Sequence, residues 1–329
     1  MLGLNQIDRP VLLAPMAGVT DAPFRRQAQA FGATYCVSEM IASDQLAHQR
    51  ADVVRRAAGA GAGAPLVIQL AGREARWLAR GAALAEEAGA DVIDINMGCP
   101  AKVVTSCAAG SALMRDPDHA LRLIEATVQA TTRPVTLKMR LGWDEHQLNA
   151  PEIARRAEAA GVQLITIHGR TRKQFFTGRA DWSAVRAVVD AVRVPVIVNG
   201  DIGSAAEARA ALKASGAAGV MIGRAAQGRP WLAGAVAEAL RKGGEAVAPS
   251  RACLLQSLLA LHEDTLSFYG TKLGGRVVRK HIAWAFDAVF GVSDAVRALR
   301  KAVCIDENPD GVRARIIDAF DTLDMKVAA

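Results

Sequence analysis

Two rhythms of apolar and polar positions alternate along the chain. Short β-branched or apolar runs recur about every 25 to 35 residues, each followed by an alanine-rich stretch whose apolar positions return with helical period. Eight runs stand out: 10–16 (PVLLAPM), 34–39 (TYCVSE), 65–70 (PLVIQL), 91–96 (DVIDIN), 134–139 (PVTLKM), 164–169 (LITIHG), 195–200 (PVIVNG) and 219–224 (GVMIGR). Their nearly continuous apolar character suits parallel strands covered on both faces, and eight such βα units close into an α/β fold, the (β/α)8 TIM barrel. The stretch 73–89 (REARWLARGAALAEEAG) shows the helical half of the unit, its apolar side chains gathered on one face. Near 241–254 (RKGGEAVAPSRACL) the strand-like runs cease and helical periodicity continues alone. The pattern predicts a barrel over residues 1–243 and a smaller all-helical C-terminal domain over 244–329.

A chain of 329 residues, 51% hydrophobic and 22% charged, can bury a large core. No apolar run approaches the roughly 18 residues of a membrane span, and the start MLGLNQIDRPVLLAPMAG lacks the features of an export signal. The expectation is a cytoplasmic protein with no membrane contact. Five cysteines (36, 99, 107, 253 and 304) lie far apart with no Cys-x-x-Cys pair, so reduced thiols are expected. Cys36, Cys253 and Cys304 read as buried structural residues, whereas Cys107 sits in a Ser/Ala-rich loop with no assigned role. Carboxylates and histidines do not gather at ligand spacing, so no metal is expected. The net charge of +7 permits a polyanionic partner without requiring one. Nothing implies a stable protein partner.

Active sites of barrels sit on the loops after the strands. Those positions hold Pro15-Met16-Ala17, Glu39, Gln69, Asn96 with Cys99 beyond it, Lys138 with Arg140, His168, Asn199-Gly200-Asp201 and Gly223-Arg224. The loops after the seventh and eighth strands are where barrels often hold a phosphate on backbone N–H groups. Gly200, Gly203 and Gly223 allow close approach there and Arg224 adds charge. A lysine at Lys138 can be a Schiff-base nucleophile, a charge stabiliser or the neighbour of a cofactor ring, and spacing does not choose among these. Flavin mononucleotide (FMN) would use the whole set: phosphate on the two glycine loops, Gln69 at the ring edge and Lys138 beside the anionic reduced ring.

The motifs APMAGVTDAPFR, VSEM, VIQLAG, IDINMGCPAKVV, AGSALM, VTLKMRLGW, TIHGRT, VNGDI and MIGRAAQGRPW span residues 14 to 231. Together they resemble the tRNA-dihydrouridine synthases, most closely the bacterial B subfamily, also called nitrogen-regulation-like proteins. The segment 274–284 (GGRVVRKHIAW) is similar to the helical domain of that family. The resemblance implies a flavoenzyme that reduces the C5=C6 bond of a uridine in the D-loop of tRNA, with FMN re-reduced by NADPH or NADH. By the same resemblance Cys99 is the catalytic residue. Flavin contacts carry over to Pro15, Met16, Ala17, Gln69, Lys138, His168, Asn199, Gly200, Asp201, Gly223 and Arg224. One departure is that Val103 follows Lys102 where the subfamily usually carries a second lysine. The implied chemistry agrees with the residue type: hydride goes to C6, C5 then needs a proton, and a thiol with an ordinary pKa of about 8.5 is mostly protonated at neutral pH.

The C-terminal segment carries a local charge. Lys272, Arg276, Arg279 and Lys280 stand within KLGGRVVRKH with no acid between them, and 276, 279 and 280 share one side of a helix. An ordinary solvated face and a phosphate-gripping face are equally consistent with that pattern, and the resemblance favours tRNA. Two rivals remain at this level: a flavin barrel acting on a free pyrimidine or other small enone, which needs no basic helical domain, and a non-catalytic RNA-binding protein, which needs neither Cys99 nor the flavin set.

Overall fold

Each apolar run becomes a strand in the computed structural model, which describes residues 10–57, 59 and 64–323. In chain order the strands are β1 (Val11–Leu13), β2 (Tyr35–Cys36), β3 (Ile41–Ala42), β4 (Val67–Ala71), β5 (Val92–Met97), β6 (Val135–Arg140), β7 (Leu164–His168), β8 (Val196–Asn199) and β9 (Gly219–Ile222). They form one parallel sheet in the order β2-β1-β9-β8-β7-β6-β5-β4-β3. The count of nine against eight runs has a simple origin: the second stave is split. Its lower part pairs with β1, Val37 bridges Val67, and after a bend at 38–40 the short β3 pairs higher on β4. The Ser38 N–H donates to the Val67 carbonyl at 2.9 Å, so the two ends of the sheet meet and the barrel closes.

Alternation along each strand sorts side chains to two sides. Leu12, Tyr35, Val37, Val67, Val92, Leu164, Ile197 and Met221 plug the barrel interior. Their neighbours Leu13, Ile68, Ile93, Leu137, Ile165, Val198 and Ile222 pack outward against the helices. Burying one such Leu or Ile contributes about 1.5–3 kcal/mol.

After the helix Leu232–Lys242 an irregular segment leads to four helices, Arg251–Tyr269, Thr271–Phe290, Asp294–Ile305 and Pro309–Thr322. Ser250, Ser293 and Asn308 cap three of them by accepting from backbone N–H groups of the first turn. The expected division near residue 243 falls in that irregular segment, yet the apolar core runs on across it: Phe24 and Trp231 of the barrel share one cluster with Leu258, Phe286 and Phe320. Polar ties cross the same seam. Arg26 grips Asp264 with two bonds of 2.8 and 2.7 Å, and the Tyr269 hydroxyl donates to Asp21 Oδ2 at 3.1 Å. Gly228, at φ 71°, lets the loop after β9 touch the helix Thr271–Phe290, since a Cβ there would lie 2.2 Å from the Trp284 carbonyl oxygen. Of the three cysteines expected to be buried, only Cys36 is; Cys253 is exposed and Cys304 half-buried. Cys253 stands one position off the buried stripe Leu254, Leu258, Leu261, which a residue-type argument does not detect.

Candidate active site

Strand register assembles the site. It sets Gln69 beside Asp94, Asp94 beside Thr136, Asn96 beside Lys138, Arg140 beside His168 and His168 beside Asn199. Asn96, Lys138, Arg140, His168 and Asn199 stand towards the C-terminal ends of their strands and with Gln69 line a cleft of about 690 Å³ above the apolar plug, while Asp94 and Thr136 lie deeper along β5 and β6. That is room for a cofactor-sized ligand.

The walls are tied by hydrogen bonds. Gln69 Nε2 donates to Asp94 Oδ2 and Asn96 Nδ2 to Gln69 Oε1, each at 2.7 Å. Lys138 Nζ donates to Asn199 Oδ1 at 3.0 Å, while Asn199 Nδ2 donates to the Met221 carbonyl at 2.8 Å. Arg170, 1% exposed, holds Asp201 with bonds of 3.1 and 2.5 Å and gives further bonds to the Thr177 and Gly178 carbonyls. Its Nη1 also lies 3.3 Å from His168 Nε2. Guanidinium cannot accept, so His168 Nε2 is the acceptor and the ring proton sits on Nδ1.

Burial and charge tune these groups. Burial, followed by the neighbouring Arg140, lowers Lys138 to about 8, against the pull of Asp94 and Cys99. It stays an ammonium at neutral pH. Burial, then Lys138, Arg140 and Arg170, push His168 well below the usual imidazole range, so it is neutral. Burial raises the Asp94 carboxyl, opposed by bonds from Thr136 and Gln69 and by Lys138. For Asp201, burial acts upward but the Arg170 bonds, the Ala180 N–H and Arg224 together carry it below the ordinary value.

Cys99 stands on a loop closed at its neck. Asn96 Oδ1 accepts from Gly98 N–H at 3.3 Å and Cys99 N–H at 3.1 Å, and the Cys99 carbonyl accepts from Ser111 N–H and Oγ at 3.1 and 2.9 Å. Arg140 Nε donates to the Gly98 carbonyl at 2.8 Å. The thiol-bearing residue lines the cleft, half-buried, while Cys107 is exposed further along the loop.

A model of the family described as dihydrouridine synthase matches residues 12–319. The chain belongs to the dihydrouridine synthase family. It is 54% identical to a probable tRNA-dihydrouridine synthase of Rhodobacter capsulatus over 316 residues, 96% of either chain. A protein of the same description from Rhizobium leguminosarum is 51% identical, covering 97% of this chain and 98% of its own. The tRNA-dihydrouridine synthase B of Xanthomonas axonopodis pv. citri is 43% identical, covering 98% and 96%.

Within this family member the structure brings Cys99 and all eleven residues expected at a flavin, from Pro15 to Arg224, to the lining of one cleft. Their engagement differs from the simple expectation at three points. Gln69 already gives one amide N–H to Asp94 and its oxygen to Asn96, which leaves it a single N–H. Arg224 is 53% exposed on its side chain, pairs with Asp201 at 3.3 Å and lies 4.6 Å from the Phe176 ring centroid. The Gly203 N–H donates to Glu207 Oε2 at 2.8 Å, so that amide is already paired within the loop. Of the four cations, Lys272 and Arg276 are exposed, whereas Arg279 and Lys280 are half-buried. Arg279 Nη2 reaches the Asp306 carbonyl at 3.5 Å, and Lys280 Nζ lies 3.8 Å from where a Cβ on Gly18 would stand, at the rim of the barrel mouth.

Sequence reasoning passed over Asp94, Arg170, Phe176 and Glu207. Asp94 had a signal: an acid two residues before Asn96 in an otherwise apolar strand points into the barrel with it. Phe176 had none, because only folding sets it between Arg224 and Arg140, the latter 5.5 Å away.

Proposed function

We propose that the chain is an FMN-dependent tRNA-dihydrouridine synthase that reduces the C5=C6 bond of a uridine in the D-loop. The observation that carries this reading is that Cys99 lines the same cleft as Lys138, Asn199 and Gln69. The donor set fits a flavin. Lys138 and the two amides offer N–H groups to ring carbonyls, and Gly200 leaves the loop after β8 bare, since at φ 117° an added Cβ would meet Ala180 Cβ at 2.7 Å. Gly223 and Arg224 stand on the adjoining loop, at the phosphate end. When bound and reduced, the flavin supplies a hydride for C6, and NADPH or NADH restores it.

The chain's own groups do the rest. Cys99 holds the proton for C5, in a loop whose neck is fixed by Asn96 and Ser111. Lys138 keeps an ammonium in the wall where it balances negative charge. Phe175 and Phe176, 43% and 41% exposed, stand among Arg140 and Arg224 and offer a stacking surface suited to an unpaired base. Such a surface is needed, because the C5=C6 bond of a stacked uracil is out of reach. Residues 244–329 act as the tRNA-binding helical domain, with Lys272 and Arg276 meeting phosphates and Arg279 and Lys280 at the margin towards the barrel.

The test is direct. The purified protein should be yellow, and anaerobic mixing of its reduced form with unmodified tRNA should reoxidise the flavin and yield dihydrouridine. Reoxidation by free uridine or a small enone but not by tRNA would assign the small-molecule alternative. A colourless protein that binds no added FMN would sink the reading.

A further inference from the structure

Four buried groups form one hydrogen-bonded row from beneath the cleft to the Cys99 loop. Thr136 Oγ1 donates to Asp94 Oδ1 at 2.6 Å, Gln69 Nε2 to Asp94 Oδ2 at 2.7 Å, Asn96 Nδ2 to Gln69 Oε1 at 2.7 Å, and the Cys99 N–H to Asn96 Oδ1 at 3.1 Å. An amide can be turned end for end, so a row of two amides has two polarities. Both ends of this one permit a single choice. The backbone N–H of Cys99 only donates, and the Asp94 oxygen facing Gln69 accepts. The remaining hydrogen on Gln69 Nε2 and on Asn96 Nδ2 is then the free donor of each residue, and both residues line the cleft. Asn199 is turned in the same sense, its Nδ2 engaged by the Met221 carbonyl and its Oδ1 by Lys138.

We propose that Asp94 is the positioning residue that completes this polarity, as the acceptor that Gln69 Nε2 needs once the Gly98 and Cys99 N–H groups have turned Asn96. It holds the wall in its donor-rich form, selecting a ligand that presents carbonyl oxygens or unprotonated ring nitrogens, and by fixing Gln69 it steadies Asn96, whose oxygen holds the backbone of Cys99. A proton on Oδ1, towards Thr136, leaves Oδ2 an acceptor, so the polarity does not depend on the charge of the carboxyl. An asparagine at position 94 can preserve it too, because the Thr136 hydroxyl can turn and accept from the new amide. For the ligand this rests on the flavin reading of the cleft; for the Cys99 loop it does not.

The experiment compares wild type, Asp94→Asn, Thr136→Val and Asp94→Leu. Only Asp94→Leu removes the acceptor that faces Gln69, since the Cys99 end of the row keeps an asparagine at 94 turned with its oxygen towards Gln69 Nε2. Two quantities are measured: the Kd for FMN, and, in flavin-free protein, the rate of iodoacetamide modification of Cys99 relative to exposed Cys107, followed by mass spectrometry. Asp94→Asn and Thr136→Val should stay within threefold of wild type. Asp94→Leu should bind FMN at least tenfold more weakly and raise the Cys99/Cys107 ratio at least threefold. Gln69→Met, which cuts the row one link further along, should raise the same ratio and stands in if Asp94→Leu does not fold. An Asp94→Asn defect as large as that of Asp94→Leu would assign Asp94 a charge role and overturn the proposal, as would wild-type behaviour of Asp94→Leu or, where it stands in, of Gln69→Met. If wild type binds no FMN the flavin reading fails, and the cysteine ratios still decide the role of Asp94.

Discussion

The barrel mouth and the seam between the barrel and the C-terminal helices both bury ionisable side chains, and they treat them differently. At the mouth Asp94, Lys138, Arg140 and Arg170 all have partners, supplied by strand ends and loop carbonyls. At the seam His281, 2% exposed, stacks on Phe24 at 5.3 Å and meets Trp284 edge-on at 5.5 Å, yet neither ring nitrogen has a hydrogen-bond partner among the described residues. Beside it lies a cavity of about 20 Å³, lined mainly by apolar side chains. A functional wall needs each polar group aimed, so its bonds are completed; the seam, already tied by Arg26–Asp264 and Tyr269–Asp21, tolerates beside those ties a polar ring that carries a cost.

The largest effect that can break this contrast lies at the mouth. Cys99→Ala should slow reoxidation of reduced flavin by tRNA by about 10²–10⁴-fold, the range for losing a positioned general acid, while flavin binding and reduction by NADPH or NADH stay near normal. Stopped-flow absorbance reads this. A larger defect in Cys107→Ala would move the proton donor to the wrong side of the loop.

At the seam the expected effects appear in stability against pH. Burial lowers His281 to about 3, with Lys280 adding to it, so below about 6.5 the unfolded chain takes up a proton that the folded one refuses. Its contribution to stability is therefore lost as pH falls from about 6.5 towards 3. Asp21 runs the other way: burial raises it to about 6, so its contribution is present below about 4 and lost as pH rises through 6. The two slopes oppose each other between pH 4 and 6, and single variants should separate them. Other buried groups such as His168 and Asp94 titrate over the same window, so each variant is read against wild type: from pH 6.5 to pH 5 Asp21→Asn should lose roughly 1 kcal/mol more than wild type, whereas His281→Leu should lose roughly 2 kcal/mol less. Urea titrations at the two pH values check this; parallel profiles for both variants would show that the seam does not hold His281 neutral.

A smaller effect tests Lys138. Because it titrates at about 8, the affinity for FMN should decline above that pH by up to tenfold per unit, and Lys138→Met should abolish the pH dependence together with part of the affinity. Retention of the slope in Lys138→Met would assign it to another group. The smallest effect belongs to the exposed cations. Replacing Lys272 or Arg276 by Ala should reduce the logarithmic salt slope of tRNA binding by about one each, and Arg279→Ala by less, since its guanidinium is turned towards the Asp306 carbonyl. Equal effects from all three would mean that Arg279 swings free when RNA arrives.

Much of this molecule is decided locally. Apolar runs such as 195–200 and 164–169 specify parallel strands through side-chain chemistry that any stretch of chain carries, and eight of them at regular spacing leave a barrel as the closing solution. The positions of Lys138, His168 and Asn199 follow as well, because a polar residue ending an apolar strand must face the mouth. Tertiary structure decided what the alternation leaves open. The split second stave depends on where Val37 meets Val67, a contact between segments 30 residues apart. The pairing of Gln69 with Asp94, of Arg170 with Asp201 and of Arg224 with Phe176 depends on register and loop paths, as does the exposure of Cys253. Periodicity determines which way a side chain points; only the assembled barrel determines what it meets.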